Sequence, residues 1–306
     1  MTRAVAIVEP GGPEVLRVIE RDVRDPGPGE VRLAVRAAAV NPTDVALRQR
    51  GDDTTPPPWV PGMDAAGTVE SVGDGVDRLA VGDEVMAAVM PRRPEGGAQA
   101  ELVVLPAASV VSIPQGATLE QAATLPMNGL TALRGLELLD LEPGATLGVT
   151  GGAGLLASYV IPLAKLRGLR VLADAKPADE ELVRGFGADV VLPRGDDLPE
   201  AMRGVDGVFD TAVLGRGILG AIRPGGGLAY VRTWDGDDVE DGIQIHRVLV
   251  REVLERTHWL SELRDLAARS VFALRVASTF APEQAGDAHR QLEAGGLRGR
   301  GVIVFD

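Results

Sequence analysis

The fold is decided by the stretch Thr146-Leu-Gly-Val-Thr-Gly-Gly-Ala-Gly-Leu-Leu-Ala157. Its first residues, Thr146–Val149, form a short apolar run that predicts a strand, and the apolar residues after the glycines predict a helix as far as Lys165. Between them, the segment from Gly152 to Ala157 matches the pattern G-x-G-x-x-A. This pattern is weak on its own, but the strand before it and the helix after it strengthen it.

The glycines of this turn suit the pyrophosphate of a dinucleotide. Gly152 permits a tight turn, Gly154 lets backbone N–H groups approach the phosphates, and the small Ala157 lets helix and strand pack closely. The start of the following helix then faces the negative charge. The alternative is an ordinary strand–helix turn of an α/β domain. The predicted cofactor-binding residues of this segment are Thr150, Gly152, Ala153, Gly154, Leu155 and Leu156.

The second strand of such a domain should end beside the adenosine ribose. A carboxylate there, about 20 residues after the turn, favours NAD, whereas a basic residue accommodates the 2′-phosphate of NADP. Here the strand ends in Asp174-Ala-Lys176, so both signals are present. Asp174 would take the ribose hydroxyls and Lys176 the phosphate, unless both are solvated loop charges. We predict NADPH as the cofactor, with NADH less favoured, and place both residues in the cofactor site.

Strands and helices alternate from residue 145 onwards. This alternation predicts a doubly wound parallel sheet with right-handed crossovers. Its further strands are predicted at Arg170–Ala173, Val190–Leu192, Val205–Asp210 and Gly227–Val231, and its further helices at Ala178–Gly185 and near Leu214–Ile222.

The first hundred residues show short strands separated by Gly and Pro turns, which is typical of a compact β-barrel or sandwich. Asn41 followed by Pro42 predicts the start of a short helix. Thr118-Leu-Glu-Gln121 predicts a capping box at the start of a helical region that reaches about Leu139. The remaining predicted elements are strands at Arg3–Val8, Val31–Val40, Ala65–Val76 and Val302–Phe305, and a helix at Pro282–Leu292.

Composition limits the functional classes. The 306 residues suit about two domains. The formal net charge of −13 argues against a nucleic-acid or anionic-membrane surface, because both need clustered Lys and Arg. The absence of cysteine excludes disulfides, a thiol nucleophile and thiolate zinc sites. Without a signal-peptide pattern at the first residues or an apolar run of membrane-spanning length, we expect a cytoplasmic protein.

A series of short motifs runs through the chain in order: Val40-Asn-Pro-Thr-Asp44, Pro61-Gly-Met-Asp-Ala-Ala-Gly67, Gly82-Asp-Glu-Val85, Ala122-Ala-Thr-Leu-Pro126, Gly129-Leu-Thr-Ala132, the glycine turn, Gly185-Phe-Gly-Ala-Asp189 and Ala288-His-Arg-Gln-Leu-Glu-Ala-Gly295. Together they resemble the quinone oxidoreductase branch of the medium-chain dehydrogenase/reductases over nearly the whole chain. The resemblance implies a Rossmann domain at residues 118–255, inserted into a GroES-like β-barrel catalytic domain at residues 1–117 and 256–306. It also implies NADPH in the cleft between the domains and a homodimer.

The zinc-using alcohol dehydrogenases of this superfamily carry Cys where this chain has Asn41, and His-Glu where it has Met63-Asp64. An amide and a thioether are poor zinc ligands, and one carboxylate cannot hold the ion, so we predict no metal site. Hydride delivery to an activated acceptor, a quinone or an enone, then becomes the favoured reaction, because nothing strong polarises an alcohol oxygen.

Three residues are predicted to be catalytic. Asn41 would hydrogen-bond a carbonyl oxygen or a cofactor ribose, although helix capping is an alternative role. Thr131 matches the family threonine on the nicotinamide side, unless it is an ordinary helix threonine. Asn128 lies near Thr131 in sequence and would line the same cleft. Arg300, in a glycine-rich loop, would reach a cofactor phosphate or lie in solvent, and we include it among the cofactor-binding residues.

Some positions depart from the family. Leu155 replaces a glycine near the pyrophosphate, where its side chain would crowd the phosphate or point into the helix packing. Pro162 lies inside the following helix and should kink it. The tyrosines that often follow the Asn-Pro motif are absent. Two alternatives to a quinone or enone reductase stay open. One is a biosynthetic enoyl reductase for one metabolite, which a larger acceptor cleft would favour. The other is a binding or regulatory protein with little turnover, which the altered glycine turn and the missing tyrosines favour.

Overall fold

The computed structural model describes residues 1–232, 234, 239–240 and 242–306. The chain divides into two compact units. Unit 1 contains Met1–Met127, Leu254–Ser270 and Leu274–Asp306, and unit 2 contains Asn128–Val253 and Val271–Ala273. The domain boundaries predicted after residues 117 and 255 stay predictions about where each domain ends.

The described strands of unit 1 are β1 (Thr2–Ile7), β2 (Leu16–Arg21), β3 (Glu30–Ala39), β4 (Asp64–Val72), β5 (Glu84–Ala88), β6 (Leu102–Pro106) and β7 (Val110–Ser112). Those of unit 2 are β8 (Thr146–Thr150), β9 (Arg170–Ala175), β10 (Val190–Pro193), β11 (Val205–Asp210), β12 (Ile222–Tyr230), β13 (Val239–Glu240) and β14 (Ile243–Arg247). Two more strands, β15 (Val276–Phe280) and β16 (Arg300–Val304), belong to unit 1.

The described α-helices are α1 (Pro42–Arg50), α2 (Leu119–Ala122), α3 (Pro126–Leu139), α4 (Ala157–Leu166), α5 (Glu180–Gly185), α6 (Leu198–Ala201), α7 (Thr257–Ala268) and α8 (Ala285–Ala294). Within the described residues, none of these helices is long and apolar enough to cross a membrane.

Unit 1 is built on a mostly antiparallel sheet in the order β15-β16-β3-β4-β5-β7, with β6 paired to β3 and with β1 and β2 forming a separate pair. β15 and β16 run parallel, so the C-terminal strands return to the sheet that the first hundred residues begin. Its core is aliphatic, and Val31, Leu33 and Ile303 are completely buried. The predicted GroES-like β-rich architecture is thereby confirmed.

Unit 2 is built on a sheet in the order β10-β9-β8-β11-β12-β14-β13. The first six strands are parallel, and β13 pairs antiparallel with β14. Counted from β8, these six strands follow the Rossmann order 3-2-1-4-5-6, which confirms the predicted doubly wound fold. In such sheets ligands bind outside the carboxyl ends of the strands where the strand order reverses, and here that point lies between β8 and β11.

Local sequence patterns predicted most of these elements. The capping box at Thr118 is present, because its Oγ1 accepts a hydrogen bond from the N–H of Gln121. The helix predicted near Leu214–Ile222 is wrong as an α-helix: Gly215–Ala221 forms 3₁₀ turns instead. Its glycines at 215, 217 and 220 weaken helix propensity, which explains the difference.

Pro162 lies inside α4, which continues through it from Ala157 to Leu166. Pro162 is buried, so packing of the surrounding residues holds it in the helix although it supplies no backbone N–H donor. α4 therefore continues through the proline, and the kink expected at Pro162 stays a prediction.

Candidate functional site

The turn after β8 has the backbone geometry that only glycine tolerates. Gly151 adopts φ +68°. A Cβ on Gly152 would lie 2.7 Å from the carbonyl oxygen of Asp174 and 3.1 Å from a methyl group of Val183. The N–H of Gly152 donates to that carbonyl at 3.1 Å. The turn therefore packs directly against β9, as the close approach of strand and helix requires.

Leu155, which occupies the family glycine position, is buried with 3% of its surface exposed. Its carbonyl oxygen accepts hydrogen bonds from the N–H and the hydroxyl of Ser158 in the first turn of α4. Of the two orientations considered from the sequence, the structure therefore shows the one in which the side chain packs inside the protein. Leu156 is partly exposed, Ala153 is buried, and Gly154 donates its N–H to the carbonyl oxygen of Gly151.

Asp174, at the carboxyl end of β9, connects the glycine turn to the neighbouring strand. Its side chain is 2% exposed. Oδ1 accepts a hydrogen bond from the N–H of Gly151, and Oδ2 accepts one from Nε of Arg194 at 2.7 Å. Asp174 therefore helps to hold the turn in place, in addition to any contact with a ribose.

Arg194 is a candidate site residue that the sequence analysis missed. It immediately follows β10 and has a side chain that is 45% exposed. Its Nε is committed to Asp174, while its two Nη groups have no protein partner within the described part of the chain. The signal was available, because a basic residue at the carboxyl end of the next parallel strand is expected near the same edge of the sheet. Lys176, the basic residue that was predicted, is exposed.

Thr150 and Asp210 connect β8 to β11 at the point where the strand order reverses. The hydroxyl of Thr150, which is completely buried, donates to Oδ1 of Asp210 at 2.6 Å and accepts from the N–H of Ala212 at 3.0 Å. Oδ2 of Asp210 accepts from the N–H of Gly215 at 2.8 Å, and the hydroxyl of Thr211 donates to the carbonyl oxygen of Thr150 at 2.5 Å. The loop after β11 is thus fixed against the glycine turn.

Unit 1 contains a second polar cluster, centred on Asn41 at the start of α1. Asn41 is completely buried. Its Nδ2 donates to Oδ2 of Asp64 at 2.7 Å, and its Oδ1 accepts from Nε of Arg300 at 3.0 Å. The amide is therefore held in one orientation by an acceptor on one side and a donor on the other. Arg300 is half-buried at the start of β16 and contacts Asn41, whereas its predicted contact with a cofactor phosphate stays a prediction.

Two buried carboxyl groups belong to this cluster. Asp44 accepts hydrogen bonds from the N–H groups of Asn41 and Gly62 at 2.7 and 2.9 Å. Asp64 accepts one from the N–H of Met127, near the start of α3, at 2.6 Å. Burial raises the pKa of Asp44 to about 6 and that of Asp64 to about 7, although these hydrogen bonds oppose the shift.

Asn128 and Thr131 lie three residues apart on α3, so they share a face of that helix. Both are buried, with 2% and 6% of their surfaces exposed. The roles predicted for Asn128 and Thr131, like those of the other site residues, stay predictions.

Comparison with known proteins identifies the family. Residues 27–115 match the alcohol dehydrogenase GroES-like domain. The chain is 35% identical to the chloroplastic NADPH-dependent alkenal/one oxidoreductase of Arabidopsis thaliana, over 74% of this chain and 64% of that protein. It is 34% identical to a quinone oxidoreductase of Pseudomonas aeruginosa, over 61% of this chain and 57% of that protein. The solved structure of a mycobacterial protein with NADPH matches with a TM-score of 0.83 and 28% identity, covering 99% of this chain and 100% of that chain.

The chain belongs to the medium-chain dehydrogenase/reductase superfamily. The aligned part of the chain spans less than two thirds of either curated relative.

Within this medium-chain dehydrogenase/reductase, the positions that correspond to zinc ligands hold an unsuitable set of donors. Met63 is a buried thioether, and both amide atoms of Asn41 are hydrogen-bonded to protein groups. Both oxygens of Asp64 also accept hydrogen bonds. Among the described residues there is no group of three or more His, Cys, Asp or Glu side chains arranged to hold a metal ion.

Proposed function

We propose that this protein is an NADPH-dependent reductase that transfers a hydride to a quinone or an α,β-unsaturated carbonyl compound without zinc. The observation that carries the proposal is the arrangement at the carboxyl edge of the unit 2 sheet. There the glycine turn, Asp174 and Arg194 lie together beside the point where the strand order reverses.

The turn fits the pyrophosphate of a dinucleotide. A Cβ on Gly152 would collide with the carbonyl oxygen of Asp174, so only glycine lets the turn pack this closely against β9, and α4 begins at Ala157 immediately after the turn. Leu155 packs inside, so its side chain does not occupy the surface that would meet the phosphates. When bound, the reduced nicotinamide supplies the hydride. The contribution of Thr150, Asp210 and the turn is to hold the binding surface in one geometry.

The preference for NADPH over NADH rests on Arg194. Its Nε contact to Asp174 offsets a carboxylate that would otherwise repel a 2′-phosphate, and it fixes the plane of the guanidinium group. The two Nη groups then present the pair of parallel N–H donors that binds phosphate oxygens well. Lys176 is exposed near the same strand end and adds positive charge.

The acceptor-binding role in unit 1 is assigned to the Asn41 cluster. Because Asn41 is completely buried, we assign it a positioning role: it holds Arg300 through Nε. Hydride addition to an enone or quinone places negative charge on the acceptor oxygen, and a cation held in advance stabilises that charge. Asn128 and Thr131 on α3 are proposed to contact the nicotinamide side of the site.

The names of two relatives, an NADPH-dependent alkenal/one oxidoreductase and a quinone oxidoreductase, support quinones and enones as the acceptors.

We also propose the homodimer that the family resemblance implies, which light scattering of the purified protein would test.

The test is a titration followed by a turnover assay. Binding of NADPH is followed by its fluorescence, with NADH titrated in parallel, and oxidation is then measured across a panel of quinones and enones. We expect tighter binding of NADPH and oxidation with at least one acceptor of either class. Absence of binding at millimolar concentration overturns the oxidoreductase proposal. Binding without oxidation of any acceptor favours the regulatory alternative.

A further inference from the structure

The loop after β11 contains a valine in a backbone conformation that valine avoids. Val213 adopts φ +62°, in the left-handed region. The other described non-glycine residues with positive φ are Asp140 and Ser270, which have short polar side chains. A β-branched residue in this region is a true outlier, because its branched Cβ crowds the backbone.

Hydrogen bonds on both sides maintain this conformation. Before Val213, the N–H of Ala212 donates to Oγ1 of Thr150. After it, the N–H of Gly215 donates to Asp210, and the N–H of Gly217 donates to the carbonyl oxygen of Leu214. Strain of this kind persists only where the surroundings determine it, and it concentrates at ligand-binding sites.

The strained loop exposes apolar surface. Val213 and Leu214 are 45% and 43% exposed, and they are consecutive. Exposed single apolar residues are ordinary, but here two consecutive ones lie on a strained backbone beside the glycine turn, and strain of this kind concentrates at ligand-binding sites.

The position of the loop indicates which ligand. A Cβ placed on Gly151 of the glycine turn would lie 3.2 Å from the Cβ of Ala212, so the loop directly adjoins the turn. β8, β9 and β10 form the half of a Rossmann sheet that receives the adenosine, and β11 begins the other half. The exposed pair is therefore on the side of the nicotinamide half.

We propose that Val213 and Leu214 form an apolar contact for the nicotinamide half of the dinucleotide, and that the strained backbone at Val213 serves this contact. The inference rests on the proposed function and deepens it. It assigns a cofactor-binding role to two residues that carry no polar atoms in their side chains.

The central variant is Val213→Gly, because glycine adopts positive φ without strain. We expect the variant to melt at a higher temperature than the wild type when no ligand is present, and to bind NADPH at least fivefold more weakly. Val213→Ala keeps the Cβ and removes the two methyl groups, so we expect weaker binding with a smaller gain in melting temperature than Val213→Gly gives. Leu214→Ala should likewise weaken binding. Leu166→Ala, which truncates a 58% exposed leucine at the other end of α4, is the matched control and should change neither quantity.

Fragments of the cofactor separate this inference from the proposed function. Adenosine 2′,5′-bisphosphate should bind the wild type and the three loop variants equally, whereas reduced nicotinamide mononucleotide should bind the variants more weakly. If the wild type binds neither NADPH nor adenosine 2′,5′-bisphosphate, the proposed function itself fails. If the wild type binds both and the loop variants bind NADPH as tightly as it does, only the apolar contact is overturned. A lower melting temperature for Val213→Gly overturns the claim that the conformation is strained for function.

Discussion

Asn41 donates its side-chain amide N–H to Asp64 at 2.7 Å while its amide oxygen accepts from Nε of Arg300 at 3.0 Å. The two contacts have opposite polarity, so the amide can satisfy both in only one orientation. Asp64 in turn accepts from the N–H of Met127. A chain of hydrogen bonds therefore connects the start of α3 to the half-buried Arg300. The chain requires a hydrogen-bond acceptor at position 64 and, at position 41, a side chain that both donates and accepts.

The direction of these hydrogen bonds predicts what happens when the side chains at positions 41 and 64 are interchanged. Asp64→Asn alone places two amide donors opposite each other, and Asn41→Asp alone places two carboxylates together. Each single substitution should lower the free energy of unfolding by about 1–3 kcal/mol and reduce kcat/KM, because Arg300 loses its fixed orientation. The double variant Asn41→Asp/Asp64→Asn restores every contact: the new carboxylate accepts from Arg300 and from the new amide, which itself accepts from Met127.

Urea denaturation and kcat/KM of the four proteins measure this cycle. We expect the double variant to recover most of the stability and activity lost in the single variants. If the two losses simply add, the arrangement of donors and acceptors in the cluster is not what determines its function.

His289 on α8 predicts how stability changes at acid pH. It is completely buried, and neither ring nitrogen has a hydrogen-bond partner among the described residues. Burial, together with the charge of Arg48, lowers its pKa from the usual 6.5 to about 4, and the opposing effect of Glu293 is smaller. Between pH 4 and 6.5, His289 is protonated in the unfolded chain but neutral in the folded protein. It therefore makes the free energy of unfolding fall as pH decreases from 6.5 to 4.

Replacing His289 with leucine removes both the unpaired polar atoms and the titration. His289→Leu should raise the free energy of unfolding at pH 7 by about 1–2 kcal/mol and flatten its decline below pH 6.5. Asp44 and Asp64 act in the opposite direction, because their raised pKa values stabilise the folded state below about pH 6–7, and their contribution should then become visible. His258→Leu, at an exposed histidine, is the control. An unchanged pH profile in His289→Leu would mean that the folded protein protonates this ring as readily as the unfolded chain.

The sequence predicted the parts of the site that are local in the chain. β8, the glycine turn and β11 follow from runs of apolar residues and from the backbone freedom of glycine, and the structure places Val205–Asp210 as predicted. α7 was missed although Leu260, Leu263 and Leu266 recur at helical spacing and are all buried. That pattern was detectable, because a three-residue repeat of leucine is typical of one helix face.

Contacts between distant residues could not be predicted in the same way. Arg194 meets Asp174 because β10 pairs with β9, and the register of that pairing is set by the whole sheet. Arg300 meets Asn41 across 259 positions because β16 pairs with β3. No local pattern states which strands become neighbours, so the sequence placed Arg300 only in a glycine-rich loop and did not single out Arg194.

Arg194 offers a direct test of cofactor preference. Arg194→Gln removes the Nη donors and leaves Asp174 without its cationic partner. We expect the Kd for NADPH to rise at least tenfold, which corresponds to about 1.4 kcal/mol, while the Kd for NADH is unchanged or lower. Arg184→Gln is the control, since Arg184 is an exposed arginine of the same unit that pairs with Glu180 on α5. Equal losses for both cofactors would show that Arg194 supports the fold of the edge and does not select the phosphate.

Leu155 tests whether the glycine turn is an intact cofactor site in this chain. If its side chain occupied the position of a phosphate, Leu155→Gly would tighten NADPH binding and leave stability nearly unchanged. Because Leu155 is 3% exposed, we expect its truncation to leave a cavity in the protein interior. The free energy of unfolding should fall by about 2–5 kcal/mol in Leu155→Ala and by about 1 kcal/mol more in Leu155→Gly. The NADPH affinity of the folded protein should not increase in either variant. Leu166→Ala makes the same truncation at an exposed leucine and should leave stability nearly unchanged. Thermal unfolding and fluorescence titration of the same preparations distinguish the two cases, since a buried side chain changes the melting temperature and an obstructing one changes the Kd.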